Sequence, residues 1–490
     1  MSDGLFDSTP HLRRALLAAA LVATPAFSQP PADEGKRALV ESVGADADST
    51  WGVAQDLWKW AEPGYQETRS AERLALMLEE VGFRVERGVA GMPTGFVAEY
   101  GTGQPVIALL AEFDALPGLS QEAVPERRAR KETTWGHGCG HHLFGPGSAA
   151  AAIAVAEQLK AGALQGTIRV YGTPAEEGGS AKTFMVRDGL FDDVDAALHW
   201  HPSSANVAGD PSNLARIAVK FRFRGRSAHA AGAPEMGRSA LDAVELTAHA
   251  AQLLREHTPD FTRIHHVITS GGGAPNVVPD FAEVFFYVRH PDVTVVRSVY
   301  DRLVKCAEGG ALATGTRLQV ENIGGTHNLL PNETLTQVSL ANLRALNDLE
   351  FDEEELQWAE KLQESLMRPR PLDSIREVRD MSGEISRGST DVGDVSWVVP
   401  TTGIATVCWV PGTPAHSWQA TAAGGMSIGR KGMLLAARTL AATAWDLFTS
   451  PELLAAAQQE LERRREGNDY EALLAPGQQP PLNYRNAPKD

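Results

Sequence analysis

The feature that most narrows the fold is Val106 to Leu110, a continuous apolar run bounded by Gly103 and Asp114. A strand that is apolar on both faces needs cover on both, so it belongs in the middle of a sheet with helices on each side. Ser148 to Leu159 is rich in alanine and reads as a packed helix, and Thr167 to Tyr171 reads as the next strand. Strand, helix, strand is the unit of α/β folds. Asp195 to Trp200 supplies a third strand. Upstream, the apolar residues of Trp51 to Leu57 and of Ser70 to Val81 recur at three and four, as amphipathic helices require, and Pro63-Gly64 breaks them apart. The expected class is α/β, a mixed sheet covered by helices.

The pattern changes near Ala215. Strand Ile217 to Arg224, helix Ser239 to His257, strand His265 to Ser270, strand Ala282 to Arg289, helix Val295 to Glu308 and strand Arg317 to Glu321 follow in the order βαββαβ. Such a unit can close a sheet of its own. It is read as an inserted α+β domain over residues 215–326, dividing a catalytic domain into residues 37–214 and 327–450. After Gly324-Gly325 the α/β alternation resumes, through an apolar strand at Ile404 to Val410, and ends in a helix at Ile428 to Phe448. Residues 346–367 are acidic and helical, as a surface insertion would be. Residues 451–490 are read as a C-terminal tail, polar and Pro-rich from 465 onward with no core pattern.

At the other end, Arg13-Arg14 precedes the apolar stretch Ala15 to Ala23, and Ala26 and Ser28 suit a small-x-small cleavage site. That is the make-up of a secretory signal peptide over residues 1–28. A membrane span needs about 20 apolar residues, and Pro25 interrupts this one. Export would place the mature chain in the periplasm or outside the cell; if the segment is not a signal, the chain is cytoplasmic. Among the 490 residues, 62 Asp and Glu against 45 Lys and Arg leave a net charge of −17. Nucleic acid and anionic membrane surfaces are therefore poor partners. Three cysteines cannot build a disulfide framework; Cys306 and Cys408 sit in apolar settings and are expected to be buried.

The third cysteine lies in the densest chemical signal, Trp135-Gly136-His137-Gly138-Cys139-Gly140-His141-His142, at a strand-to-helix turn. Glycines there permit tight backbone turns. Cys139 and His141 are two apart, so in an extended segment both would point the same way. More candidates follow at strand ends, where α/β proteins place their sites: Glu176-Glu177 after Thr167 to Tyr171, His199-Trp200-His201-Pro202 closing the next strand, and His416 after Ile404 to Val410. Adjacent carboxylates point in different directions, so one of the glutamates can bind metal while the other serves as a general base.

The ordered set Phe113-Asp114-Ala115-Leu116-Pro117, Cys139-Gly140-His141, Glu176-Glu177-Gly178, His201-Pro202 and His416-Ser417 resembles the dinuclear metallo-amidohydrolases and aminoacylases. This family includes hippurate hydrolase, plant auxin-conjugate hydrolases and bacterial carboxypeptidase G. Trp135 to His141 and Gly388-Ser389-Thr390-Asp391-Val392-Gly393-Asp394-Val395-Ser396-Trp397 resemble most its aminobenzoyl-glutamate hydrolase branch. The resemblance runs from about residue 37 to residue 450 and implies a metallo-exopeptidase-like catalytic domain. It implies two divalent metal ions (zinc, manganese, cobalt or nickel) held by Cys139, His141, Glu177, His201 and His416, with Glu176 as general base. The cysteine stands where more distant relatives bridge with an aspartate, and His201 is preferred to His199 on the family's spacing. Asp114 would orient a ligand. In the inserted domain it singles out Ser227-Ala228-His229-Ala230, Asn276 and Arg289. In relatives this domain dimerises, its histidine steadies the polarised carbonyl at a neighbouring site, and the asparagine and arginine hold a substrate carboxylate. A homodimer and a possible second hydrolase subunit follow as partners. His142 and Glu112 depart from the residues common in the family at those positions.

The expected activity is hydrolysis of an N-acyl, aromatic-acyl amino acid, such as aminobenzoyl-glutamate, by metal-activated water. Two alternatives stand beside it. One is a cysteine hydrolase using Cys139 with His141 or His137, which would survive chelation. The other is a ligand-binding relative without turnover, which would have no need of Glu176.

Overall fold

The computed structural model describes residues 34–209 and 211–485; the expected signal peptide lies outside them. Val106–Ala111 is buried along its whole length and sits inside an eight-stranded mixed sheet. Its neighbours are Gly166–Gly172 and Ala196–Ser203, both parallel to it, and Thr401–Val407 runs parallel beyond Ala196–Ser203. Phe96–Thr102 pairs antiparallel with Gly166–Gly172 and carries Arg84–Arg87 at the edge. Asn206–Ala208 and Val378–Asp380 finish the opposite side.

The two faces of the central strand feed two cores. Ile107 and Leu109 pack with the helices His141–Lys160 and Ser427–Thr449, whereas Ala108 and Leu110 pack with Phe184, Met185, Val392 and Val395. The first helix is buried on nearly all sides, which explains its alanines: small side chains let it lie close to both the sheet and the second helix. It begins at His141, not at the alanine run, so its first turn stands at the carboxyl ends of the parallel strands.

Residues 215–326 form a separate antiparallel sheet in the order Arg263–Ser270, Phe281–His290, Ala215–Arg224, Arg317–Thr326. Helices Ala240–Leu254 and Val293–Thr314 cover one face, over Ile217, Val219, Phe221 and Phe223. Cys408 is buried as expected, whereas Cys306, on the second of these helices, is only half-buried.

The acidic stretch is helical and mostly exposed, and helix Glu353–Gln363, opened by the capping box of Asp352 and Glu355, anchors it by burying Ala359 and Leu362 against Val410 and Ile428. One larger expectation fails: the segment after 450 is not a coreless tail. Pro451–Arg465 is a helix whose Glu460 accepts the Glu333 and Thr334 N–H groups at 2.9 Å each, capping another helix, Glu333–Leu346. Leu473 then enters the core of the second sheet, while Leu474, Leu482 and Tyr484 pack on the first. Apolar residues divided between two cores show no single period, which is why the sequence pattern hid them. No helix among the described residues is long and apolar enough to cross a membrane.

Candidate metal centre

Four successive strand ends and one helix start deliver the site. Gly140 caps the helix at φ 80°, and a Cβ there would fall 2.6 Å from the Pro202 ring. Only glycine lets the Cys139 turn lie this close to the His201 strand. Cys139 and His141 are thus brought together across a tight turn rather than along an extended segment. The backbone N–H of His416 donates to Gly138 C=O at 2.8 Å, tying the last strand's loop to the same turn.

The donor atoms fall into overlapping groups. Cys139, His141 and His201 present ligand atoms within 4.8 Å of one another; so do Cys139, Glu177 and His416, and so do Glu112, His141 and Glu176. Cys139 belongs to the first two. Its Sγ lies 3.4 Å from His201 Nε2, while His201 Nδ1 faces Pro202 C=O at 2.7 Å, which leaves Nε2 as the ring's free position. His199 shares that strand face and lines a cavity of about 610 Å³ beside His201, with Arg368, Arg370 and Met381, but it is not in the donor groups.

Asp114 organises both sides. Its Oδ1 meets His141 Nδ1 at 2.8 Å, and its Oδ2 accepts the Glu177 N–H at 3.0 Å. The carboxylate therefore fixes the imidazole with Nε2 turned inward. Two buried atoms in the centre have no hydrogen bond: His141 Nε2, although Glu112 Oε2 approaches to 3.1 Å, and Glu177 Oε1, although His416 Nε2 lies 3.1 Å away. Buried polar atoms are normally satisfied. Converging thiol, imidazole and carboxylate groups with orphaned inner atoms fit divalent cations, and the mixed sulfur, nitrogen and oxygen donors suit a borderline ion such as zinc.

The electrostatics separate the two glutamates. Burial, then the charges of Glu112 and Glu177, push Glu176 well above the usual carboxylate range. Burial acts on Glu177 as well, but His416 and His141 hold it low. Burial, with Glu177 nearby, also pushes the Cys139 thiol well up, so it is a poor free nucleophile. His137 is spent elsewhere, its Nε2 facing Leu57 C=O at 3.1 Å.

The structure adds groups that the motifs did not assign. Lys182 is fully buried with Nζ 2.8 Å from Glu112 and 2.6 Å from Asp391. Arg485 donates to Glu177 C=O, and Tyr484 stacks edge-on against Tyr65 with ring centroids 5.9 Å apart. Asp391 lies in the Gly388 to Trp397 stretch, the one sequence signal for it; a lone Lys182 and the last residues carried none. His229, Asn276 and Arg289 do not join the donor groups. His229 and Asn276 sit on exposed, adjoining loops, Ala230 N–H donating to Asn276 C=O, at the end of the second sheet opposite to Arg289.

Residues 108–441 match the profile of peptidase family M20/M25/M40. The chain is 41% identical to one of the subunits of p-aminobenzoyl-glutamate hydrolase of Escherichia coli K12, over 89% of this chain and 96% of that one. It is 30% identical to the Xaa-Arg dipeptidase of Mus musculus, over 87% and 92% of the two chains. Among solved structures, a dinuclear metal-binding M20 peptidase of Bacillus subtilis superposes with a TM-score of 0.56 at 18% identity, over 83% of this chain and 99% of that one. By fold and by sequence the chain belongs to peptidase family M20/M25/M40, as a metal-dependent amidohydrolase.

Proposed function

We propose that the enzyme hydrolyses the amide bond of N-acyl amino acids with an aromatic acyl group, aminobenzoyl-glutamate among them, with a pair of divalent ions that Cys139, His141, Glu177, His201 and His416 would hold. The sharing of Cys139 between the His141–His201 and Glu177–His416 groups is the observation that carries this reading. The bound ions would polarise the amide carbonyl and make water acidic enough to attack near neutral pH. Glu176, which shares a donor group with Glu112 and His141, takes the proton of the attacking water and passes it to the departing amine. Asp114 keeps His141 in its orientation. Arg289 receives the carboxylate of the amino-acid half as a bidentate pair. Similarity to a relative named as a subunit of an aminobenzoyl-glutamate hydrolase supports the substrate class and admits a second subunit as partner.

His229 and Asn276 serve the site of a second copy in this reading. Arg216 pairs with Arg289 at one end of the strands and Arg224 with Phe281 at the other, eight residues on, a span of roughly 27 Å. One chain thus presents the arginine and the His229 loop at opposite ends. His229 Nδ1 accepts the Gly232 N–H at 3.0 Å, so its Nε2 carries the proton, ready to donate to a carbonyl oxygen. Strand Arg263–Ser270 is an unpaired edge, with Val267 55% and Ile268 43% exposed, and Leu246 and Leu253 are exposed on the nearby helix. An open edge with apolar residues supports a homodimer. Export through residues 1–28 to the periplasm or beyond completes the reading.

The test is a pair of variants. Glu176→Gln should retain metal and lose roughly 10²-fold or more in kcat on an N-acyl amino acid, whereas Glu177→Gln should lose metal first. The opposite pattern would exchange base and ligand.

A further inference from the structure

On the exposed face of the second sheet, basic side chains are neutralised in the middle and left bare at one end. Lys220 and Arg222 share the buried Glu283, at 3.5 and 2.5 Å. Arg216 and Arg289 are direct cross-strand partners, and neither has a carboxylate partner among the described residues. Arg216 is only 7% exposed, and the Nε atoms of both arginines are buried without a hydrogen bond. Their guanidinium carbons lie 5.1 and 5.4 Å from the centre of the same Tyr287 ring. Burial and the Arg216 charge pull Arg289 down from its ordinary value. Two like charges, held together and half desolvated, demand an anion.

The pair is fastened to the candidate centre. Arg216 Nη2 donates to Ser180 Oγ at 3.0 Å, three residues after Glu177, and a Cβ placed on Gly178 would lie 3.9 Å from the Tyr287 hydroxyl. Whatever anion the two arginines hold is therefore beside the amide that the proposed reaction cleaves. One guanidinium matches one carboxylate in a bidentate pair. Two guanidiniums exceed what a monocarboxylic amino acid supplies.

Resting on the amidohydrolase reading above, we infer that Arg216 is a specificity-determining residue that receives a second carboxylate. The preferred leaving group is then an acidic amino acid, its α-carboxylate and side-chain carboxylate divided between Arg289 and Arg216. A site built around buried donors rejects the isostere that leaves them unpaired.

The experiment compares N-benzoyl-glutamate with N-benzoyl-glutamine, which differ only in that side-chain charge. The unaltered enzyme should favour the glutamate conjugate by roughly 10²-fold in kcat/KM, mostly through KM. Arg216→Gln, with metal content and melting temperature verified, should compress the ratio to within about threefold, and Arg216→Lys should restore part of it. Ser180→Ala removes the bond to Arg216 but keeps the guanidinium, so its ratio should stay high. An unaltered ratio in Arg216→Gln, or a ratio lost equally in Ser180→Ala, would leave Arg216 a structural brace and overturn the inference alone. An unaltered enzyme that cleaves neither conjugate, nor any other N-acyl amino acid, would overturn the amidohydrolase reading itself.

Discussion

Lys182 Nζ lies 2.6 Å from Asp391 Oδ1, with both side chains fully buried, and joins the first half of the catalytic sheet to a segment 209 residues later. The same ammonium reaches Glu112 at 2.8 Å, and the Lys182 N–H also donates to Asp391 Oδ2 at 3.0 Å. A lysine here faces two carboxylates, one of which, Glu112, belongs to the group that contains Glu176. Removing it strands both charges out of water. Lys182→Met should therefore destabilise the fold by about 3–5 kcal/mol in urea denaturation. Adding Asp391→Asn to that variant should recover part of the loss, because one of the stranded charges is gone. Losses that simply add would show that the two residues do not act as a pair.

Asp114→Asn should weaken metal binding by about 10- to 100-fold, measured by competition with a chelator. An asparagine can still accept the His141 N–H through its oxygen, but its amide nitrogen cannot accept the Glu177 N–H that Asp114 Oδ2 receives at 3.0 Å. Either the imidazole or the Glu177 turn loses its support.

Acid should destabilise the enzyme through a histidine remote from the metal ligands. Burial pushes His327 down to about 4 from 6.5, between Trp397 and Tyr470, with Nε2 facing Glu471 C=O at 2.9 Å. Its folded value is depressed, so the neutral ring is favoured by folding above the unfolded value and opposes folding as pH falls toward 4. Between pH 7 and pH 5 this one group should remove about 2 kcal/mol of stability. His327→Gln should flatten that part of the pH–stability curve; an identical slope would assign it to other groups.

Leu473→Ala separates the two views of the C-terminal segment. A buried leucine in the core of the second sheet should cost about 2–5 kcal/mol when truncated, whereas a residue in a solvated tail would change stability by less than about 0.5 kcal/mol. Chemical denaturation of the full chain reads the difference.

That contrast also marks how far the sequence could be read. Val106–Ala111, Gly166–Gly172 and the alanine-rich part of the helix His141–Lys160 were legible because each buries a continuous apolar run, while the first turn of that helix was not. Cys139, His141, Glu177 and His416 stand in ordered motifs at strand ends, and the structure brings these side chains together. Lys182 and Arg216 were not legible. Each draws its meaning from a partner far along the chain, Asp391 in one case and Arg289 in the other, and no local pattern records such a pairing. Leu473 and Arg485 were hidden for a related reason, since the segment that carries them visits two cores and the Glu177 turn between residues 473 and 485.

In the proposed reaction, hydrolysis depends on divalent ions that Cys139, His141, Glu177, His201 and His416 would hold. The most direct measurement is elemental analysis of the enzyme, beside its hydrolysis of an N-acyl amino acid, before chelation, after it and after metal is restored. The account predicts two ions per chain, loss of hydrolysis with the metal and its return on reloading, with the ion content of Cys139→Ser reduced. Full hydrolysis by a sample shown to be free of metal would contradict it.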